Sequence, residues 1–457
     1  HPTQRKIVNK NYSGSARVLG GAGTGKTVVA MHRAKHLAGT LKDKERILFT
    51  TFTANLASDI KDNLRKICTV DEFRRIDVIN LDAWVSQFLR EHGYPAEIVY
   101  DEKAQSLWEK AVTGTDFSGE FPVSFYEDEY NRIVVTQEAL TLEKYVKASR
   151  TGRGTRLDRK KRIQIWEVFE AYQNLMKENQ VRDINTAMYE CRLLIEKTSS
   201  EIRYKHVIVD EGQDLGANAY RLLRSIAGKE HENDIFIVGD AHQRIYKNRS
   251  VLSKCGINIR GRSSILRINY RTTEEIRKAA FALLNGIVFD DLDDSFDTGD
   301  RCQSLTHGTA PEVMVAANAN EEFDAILAKI KGLVENGVSA KNICVVARTH
   351  KLLDDYIAHF TSSGIRCYEI KGNKADDRGL EGIRVATMHR VKGLEFQYIF
   401  IVAVNNRIIP LASAIDHTDV VSEQETMTAE KCLLYVALTR AQKGAFISGY
   451  GKMSEFL

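Results

Sequence analysis

One stretch of eight residues constrains this chain more than any other: Gly20-Gly21-Ala22-Gly23-Thr24-Gly25-Lys26-Thr27. It fits G-x-x-x-x-G-K-[ST], the loop whose backbone N–H groups turn inward around phosphate oxygens. An apolar run, Ala16 to Leu19, precedes it, and Val28, Val29, Met31, Ala34 and Leu37 follow at helical spacing. Strand, glycine loop and helix are the setting such a loop needs, because the helix N-terminus adds positive dipole under the anion. Lys26 supplies a point charge for the outer phosphates, and Thr27 a hydroxyl for Mg²⁺. Average residue frequencies give roughly one or two chance matches per hundred chains of this length, and the correct flanks reduce that further. The stretch implies a nucleoside-triphosphate site at the edge of an α/β sheet.

Two later stretches place carboxylates at strand ends. Lys205 to Leu215 reads KHVIVDEGQDL, with Val207-Ile208-Val209 as a buried strand and Asp210 and Glu211 at its carboxyl end. Ligands of open α/β sheets bind at that edge. Asp210 suits Mg²⁺, as Thr27 does, and Glu211 suits orientation of an attacking water. Asp234 to Tyr246 repeats the design, with a strand over 235–238 and then Gly239-Asp240-Ala241-His242-Gln243. Gln243 is placed to sense a γ-phosphate. His242 reads as structural, since hydrolysis has no need of it there.

Further strands are expected at 47–49 and 77–81. Phe52, just past the first, is either a platform for a base or a core side chain. Gln4 is either a surface residue or an amide facing the N6/N7 edge of adenine. From about 96 to 200 the pattern turns mostly helical, and Trp166, Phe169, Tyr172 and Met176 read as core. That region holds the most basic stretch of the chain: Lys147, Arg150, Arg153, Arg156, Arg159, Lys160, Lys161 and Arg162, relieved only by Asp158. So little acidic balance predicts contact with nucleic-acid phosphates. LRINYRTT, at 266–273, ends a strand at Asn269-Tyr270-Arg271, and the aspartates of 290–300 read as a solvated loop without a metal. The last third alternates strands at 343–347, 384–387, 398–404 and 445–448 with helices at 350–362 and 430–438, a second α/β unit without a phosphate loop.

The 457 residues allow two to four domains with real cores. The longest apolar run, Tyr398 to Val404, is far too short to cross a bilayer, and no signal-peptide pattern opens the chain, so no membrane is expected among its partners. A net charge of +4 permits nucleic-acid binding only through a local patch. Seven scattered cysteines without C-x-x-C pairs argue against zinc clusters and disulfides and fit a reducing cytoplasm. The chain opens on His1, from which a trimmed N-terminus or a preceding domain is expected.

Taken in order, Gln4, GGAGTGKT, TFTANLA, VDEGQD, VGDAHQRIY, NYR, TMHRVKGLEF and YVALTRA resemble the signature blocks of superfamily 1 helicases of the UvrD/Rep type, over nearly the whole chain. The resemblance implies an α/β fold of two RecA-like P-loop NTPase domains with a mostly helical insert in the first. The expected division is 1–95 and 201–272 for the first domain, 96–200 for the insert and 273–457 for the second. ATP would lie in the cleft, with Mg²⁺ on Thr27 and Asp210. Lys26, Asp210, Glu211 and Gln243 would act from one side, and Arg271 and Arg440 as arginine fingers from the other. Tyr270 would stack on adenine, Glu395 would touch the ribose, and Arg33 would approach the nucleotide. Single-stranded DNA would cross both domains near Phe52, Thr53, Tyr246, Arg249 and His389, with Arg150, Arg153 and Arg156 on the insert; RNA stays open. The implied activity is ATP-driven helicase or translocase action, 3′ to 5′. The alternative is a nucleic-acid-stimulated ATPase serving as a switch in a larger assembly with a protein partner. Three departures stand out. The family's second-domain insert is reduced or absent, Lys431-Cys432 replaces paired arginines, and Asn248 stands where tryptophan is common.

Overall fold

Apolar residues alternate between two cores along nearly every long strand, which is what a parallel sheet covered on both faces requires. The computed structural model describes residues 1–116, 120–198, 204–245, 250–290, 296–297, 302–371, 376–377 and 379–457. Its first sheet comprises β1 (Ala16–Gly20), β2 (Arg46–Thr51), β3 (Ile76–Asn80), β4 (Tyr204–Val209), β5 (Ile235–Gly239) and β6 (Ser263–Leu266). Their spatial order is β3-β2-β4-β5-β1-β6, and every pairing is parallel. Helix α1 (Pro2–Asn9) leads in, and α2 (Lys26–Ala38) and α3 (Ala54–Ile67) cover one face. Helix α4 (Leu81–Glu91) lies on the other. In β4, Ile208 points to the α2 side while Val207 and Val209 point to the α4 side.

Between α4 and β4 stands the insert, with α5 (Asp101–Thr113), α6 (Val123–Glu129), a π-helical stretch over Tyr130–Val135, α7 (Leu142–Lys147), α8 (Arg159–Glu178) and α9 (Ile184–Lys197). It has its own aromatic core, in which Trp108 stacks on Tyr172 with ring centroids 3.7 Å apart. Trp166, Phe169, Tyr172 and Met176 are buried there. Helix α9 then packs beside α10 (Ala217–Ala227) on the first sheet, which fixes the insert to its domain.

The chain crosses over through a short ladder of Ile268–Asn269 with Gln303–Ser304. Helix α11 (Glu274–Ala282) already packs in the second core. The second sheet comprises β7 (Glu312–Ala316), β8 (Ile343–Ala347), β9 (Cys367–Glu369), β10 (Ile383–Thr387), β11 (Phe396–Ile401) and β12 (Ala441–Tyr450). Its order is β7-β12-β11-β8-β10-β9, again wholly parallel. Helices α12 (Ala319–Glu335) and α13 (His350–Ser362) cover one face; α11 and α14 (Val420–Leu438) cover the other. These are the two RecA-like domains. Helix α14 starts ten residues earlier than its sequence pattern predicts. Among the described residues between Arg271 and His389, only the Phe289–Asp290/Phe296–Asp297 hairpin and the Gln303–Ser304 strand lie outside this sheet, its helices and their loops, so the described residues contain no separate globular insert. Tyr246, Asn248, Arg249 and most of the acidic 290–300 stretch lie outside the described residues.

Candidate nucleotide site

β4, β5 and β1 are neighbours in the sheet, so the groups at their carboxyl ends meet. Thr27 Oγ1 donates to Asp210 Oδ2 at 2.8 Å. Lys26 Nζ donates to Gly20 O at 2.8 Å and Gly21 O at 2.9 Å, and lies 3.8 Å from Asp240 Oδ2. The loop needs its glycines. Gly23 and Gly25 have φ of 75° and 81°, and a Cβ would fall 2.1 Å from Asn269 Oδ1 or 2.6 Å from Gln4 Nε2 respectively. Gln4 Nε2 donates to Thr24 O at 3.1 Å, so that side chain belongs to the loop rather than the open surface.

Glu211 takes a left-handed backbone, φ 53°, costly for a non-glycine residue and of the kind that clusters at functional sites. Its carboxylate accepts from Gln213 Nε2 and lies 3.9 Å from Lys392 Nζ. Burial pushes the Asp210 carboxyl up to about 7, and the neighbouring Glu211 charge adds to it. Burial acts on Glu211 as well, but Lys392 and Lys26 hold that carboxyl below its ordinary range. Asp240 is buried too, yet Lys26 and His242 keep it well below the usual carboxylate range.

The second domain reaches in from β10, β11 and the end of α14. Arg440 Nη2 donates to Gln243 Oε1 at 2.9 Å, and Gln243 Nε2 donates to Asp240 Oδ2 at 2.6 Å. Burial lowers the Arg440 guanidinium to about 10, which leaves it charged at neutral pH. Lys392 pairs with Asp214 and donates to Gln243 O at 2.8 Å. Arg271 pairs with Glu395, whose other oxygen accepts from Gln442 Nε2 at 3.1 Å. Tyr270 N donates to Gly23 O at 2.9 Å and its ring is exposed at the rim. Lys26, Thr27, Glu211, Gln243, Arg271 and Arg440 all line one cleft of about 950 Å³. Thr27 and Asp210 present the hard oxygen donors that Mg²⁺ takes beside substrate phosphates. Lys392 and Asp214 make a cross-cleft contact, and Gln442 holds Glu395 within the second domain; the sequence pattern gave none of the three a role. Lys392 stands inside the TMHRVKGLEF block, which was signal enough.

Three expectations need correction. Arg33 lies two turns along α2, about 10 Å from the loop. It is buried and donates to Val8 O, Lys10 O and Asn233 Oδ1, each at 2.6 Å, so it ties α1 to the domain edge and faces no nucleotide. Arg150 Nε and Nη2 donate to the two oxygens of buried Glu129 at 2.6 and 2.9 Å. Arg153 joins that carboxylate at 3.2 Å and Asp128 at 3.7 Å. Both guanidiniums are consumed inside the insert; Arg156, Arg159 and Lys160 remain exposed. Of the other strand-facing candidates, Phe52 is half-buried against the α4 core and Thr53 caps α3, accepting from Leu56 N at 3.3 Å. Burial, then the charge of Arg348, brings the half-buried His389 imidazole down to about 4, so it is neutral at pH 7. His242 is structural: Nδ1 is 3.1 Å from Asp240 Oδ1 and its ring packs on Phe289.

Two parallel α/β units, one with a phosphate loop, closing on one cleft define a two-domain P-loop NTPase. The UvrD/REP helicase N-terminal domain matches residues 1–254, and the UvrD-like helicase C-terminal domain matches residues 265–378 and 368–452. The chain belongs to the UvrD/Rep family of superfamily 1 DNA helicases. It is 26% identical over 450 residues to a probable DNA helicase of Mycoplasma pneumoniae, covering 94% of this chain and 79% of that protein. It is 23% identical to the mitochondrial ATP-dependent DNA helicase HMI1 of Saccharomyces cerevisiae, covering 81% of this chain and 53% of that one. Against the ATP-dependent DNA helicase PcrA of Leuconostoc citreum, identity is 25%, covering 60% of this chain and 37% of the relative. The chain spans 50–53% of the length of several DNA helicase relatives, from Mycoplasma species and from Saccharomyces cerevisiae. No helix of the described residues is long and apolar enough to cross a membrane, and none of the seven cysteines forms a disulfide.

Proposed function

We propose that this chain hydrolyses ATP between its RecA-like domains and uses their movement to travel 3′ to 5′ on single-stranded DNA. One observation carries the reading: Lys26, Thr27 and Glu211 of one domain and Arg440 of the other line a single cleft, with Asp210 bonded to Thr27 and Lys392 3.9 Å from Glu211 just behind them. The triphosphate takes over the Lys26 ammonium from the loop carbonyls. Thr27 and Asp210 would hold Mg²⁺, which neutralises phosphate charge when bound. Glu211, kept ionised by its lysine neighbours, orients the attacking water. Arg440, delivered next to Gln243, meets charge that develops on the γ-phosphate, a contact of the kind worth roughly 10³–10⁵ in rate. Arg271 acts from the same side. Gln4 and Tyr270 hold the adenine and Glu395 the ribose. Phe52, Thr53, His389 and the exposed Arg156 are offered to the strand.

The test is ATPase turnover with and without single-stranded DNA or RNA, beside strand displacement. Stimulation of at least tenfold by single-stranded DNA is expected, and identical rates with and without either nucleic acid overturn the reading. A second reading is a DNA-stimulated switch subunit without unwinding of its own. Stimulation without displacement favours it.

A further inference from the structure

The most basic stretch of the chain builds something other than a phosphate grip. Arg150, besides holding Glu129, donates to Thr155 O, and Arg153 N donates to Arg150 O at 3.1 Å. The 150–155 turn is therefore nailed to α6 by buried charge. Its last residue reaches across the domain boundary: Thr155 Oγ1 donates to Asp419 Oδ2 at 2.7 Å. Gly154 lies against the same carboxylate, where a Cβ would stand 2.1 Å from Oδ1. Beside it Arg132 Nη1 is 2.9 Å from Glu425 Oε2, both side chains less than a quarter exposed. Asp128, at 3.8 Å, and Asp416 are the other acids facing Arg132.

Asp419 and Glu425 are not incidental positions. Asp419 is the N-cap of α14 and accepts from Ser422 N at 2.9 Å; Glu425 lies in its second turn. The other end of α14 leads directly into Thr439 and Arg440. A straight helix over Val420–Leu438 spans about 28 Å. The insert itself is fixed to the first domain by α9 against α10 and by Arg221 donating to Thr136 O. The two motor domains are therefore joined twice, at the cleft by Arg440 and Lys392 and at the far end of the same helix by the insert.

We propose that the 150–155 turn and Arg132 form a latch that holds the motor domains closed from the end of α14 opposite Arg440. A rigid helix held at one end by two contacts can leave the cleft only by pivoting about them, which pulls Thr155–Asp419 and Arg132–Glu425 out of bonding geometry, by breaking them outright, or by dragging the insert along. The latch sets the resting balance between open and closed forms, while nucleotide acts at the other end. The inference rests on domain movement in the ATP cycle, but its readouts need neither hydrolysis nor DNA.

The test uses Thr155→Val combined with Glu425→Gln, neither residue being part of the cleft. Energy transfer is measured between dyes attached at the exposed positions Lys10 and Glu335 by chemistry that spares the native cysteines, and release of a fluorescent ADP is followed by chase. The open-to-closed ratio should rise about tenfold, equivalent to about 1.4 kcal/mol, with ADP release faster by a similar factor. Gly154→Ala should act likewise by placing a methyl on the Asp419 carboxylate while removing no hydrogen-bonding group. Asp419→Asn, whose Oδ1 still accepts from Ser422 N and whose Nδ2 can donate to the Thr155 hydroxyl in place of the original bond, should stay near wild type. If the double variant melts early, Gly154→Ala decides. Unchanged distances and unchanged ADP release in the folded Gly154→Ala protein overturn the latch. A protein that never hydrolyses ATP would sink the proposed function while leaving this measurement decisive.

Discussion

Asp210 and Glu211 are adjacent, both buried, and pulled in opposite directions. Asp210 has no cation as close as the Lys392 that faces Glu211, so burial wins and its carboxyl rises to about 7. A raised carboxyl makes the folded state bind a proton that the unfolded chain has released above pH 4. Stability from this group is therefore full below about pH 4 and lost as pH climbs through 7. In metal-free protein, Asp210→Asn should melt with wild type at pH 4 and higher than wild type at pH 8, by on the order of 2–4 kcal/mol at 1.36 per unit. Paired thermal scans in chelator check this; a variant no more stable at pH 8 removes the burial argument. Glu211 is the opposite case, a carboxylate held ionised and proposed above as the group that orients water. Glu211→Gln should keep ATP binding and lower turnover by about 10²–10⁴, the usual worth of a positioned base. Steady-state rates within a few-fold of wild type would end its assignment. For Arg440→Ala the expectation is a large fall in kcat with little change in KM, since its contact strengthens in the transition state. Equal loss of nucleotide affinity and turnover would make it a binding residue.

At the scale of elements, the insert corrects the reading of its own charges. Arg150 closes a buried ion pair on Glu129, which also accepts from Tyr145 Oη at 3.0 Å. Arg150→Ala leaves that carboxylate only Arg153 and Tyr145 and should cost up to about 3 kcal/mol of stability, with no change in the salt slope of DNA binding. Neutralising exposed Arg159 and Lys160 should instead flatten that slope by about one per lost contact. A slope that falls in Arg150→Ala and stays put in the double variant reverses the correction. The contrast marks what a sequence can reveal. The phosphate loop, the strand-end carboxylates and the α/β alternation are local patterns of two to ten residues, so they were legible. Partners are not local. Glu129 lies 21 residues before Arg150, and Asn233 lies 200 after Arg33. Charge counting along the chain sees a basic run where the folded protein has neutral pairs. Lys392 was missed for the same reason: its partner Asp214 is 178 residues away.

For the whole molecule, the question is what the second domain can hold. Strand separation needs a motor that steps on one strand and a surface that keeps hold of the duplex while it does so. Among the described residues the second domain consists of one sheet, its covering helices, their connections and the Phe289–Asp290/Phe296–Asp297 hairpin. No separate domain extends from these described residues toward a duplex. The insert of the first domain is the other surface able to help. Its Arg150 and Arg153 are occupied internally, and its 150–155 turn is engaged with α14. The cleft, by contrast, brings together the groups of both domains on which the proposed hydrolysis rests. Hydrolysis coupled to single-strand binding should therefore be intact while the grip on a duplex is weak. We expect single-stranded DNA to stimulate ATP turnover, and strand displacement by the chain alone to fall steeply as duplexes lengthen to tens of base pairs. Single-turnover displacement on a short and a long duplex with the same single-stranded tail measures it. Efficient separation of the long duplex by the chain alone, at sub-stoichiometric protein, would mean that the compact second domain holds the duplex after all.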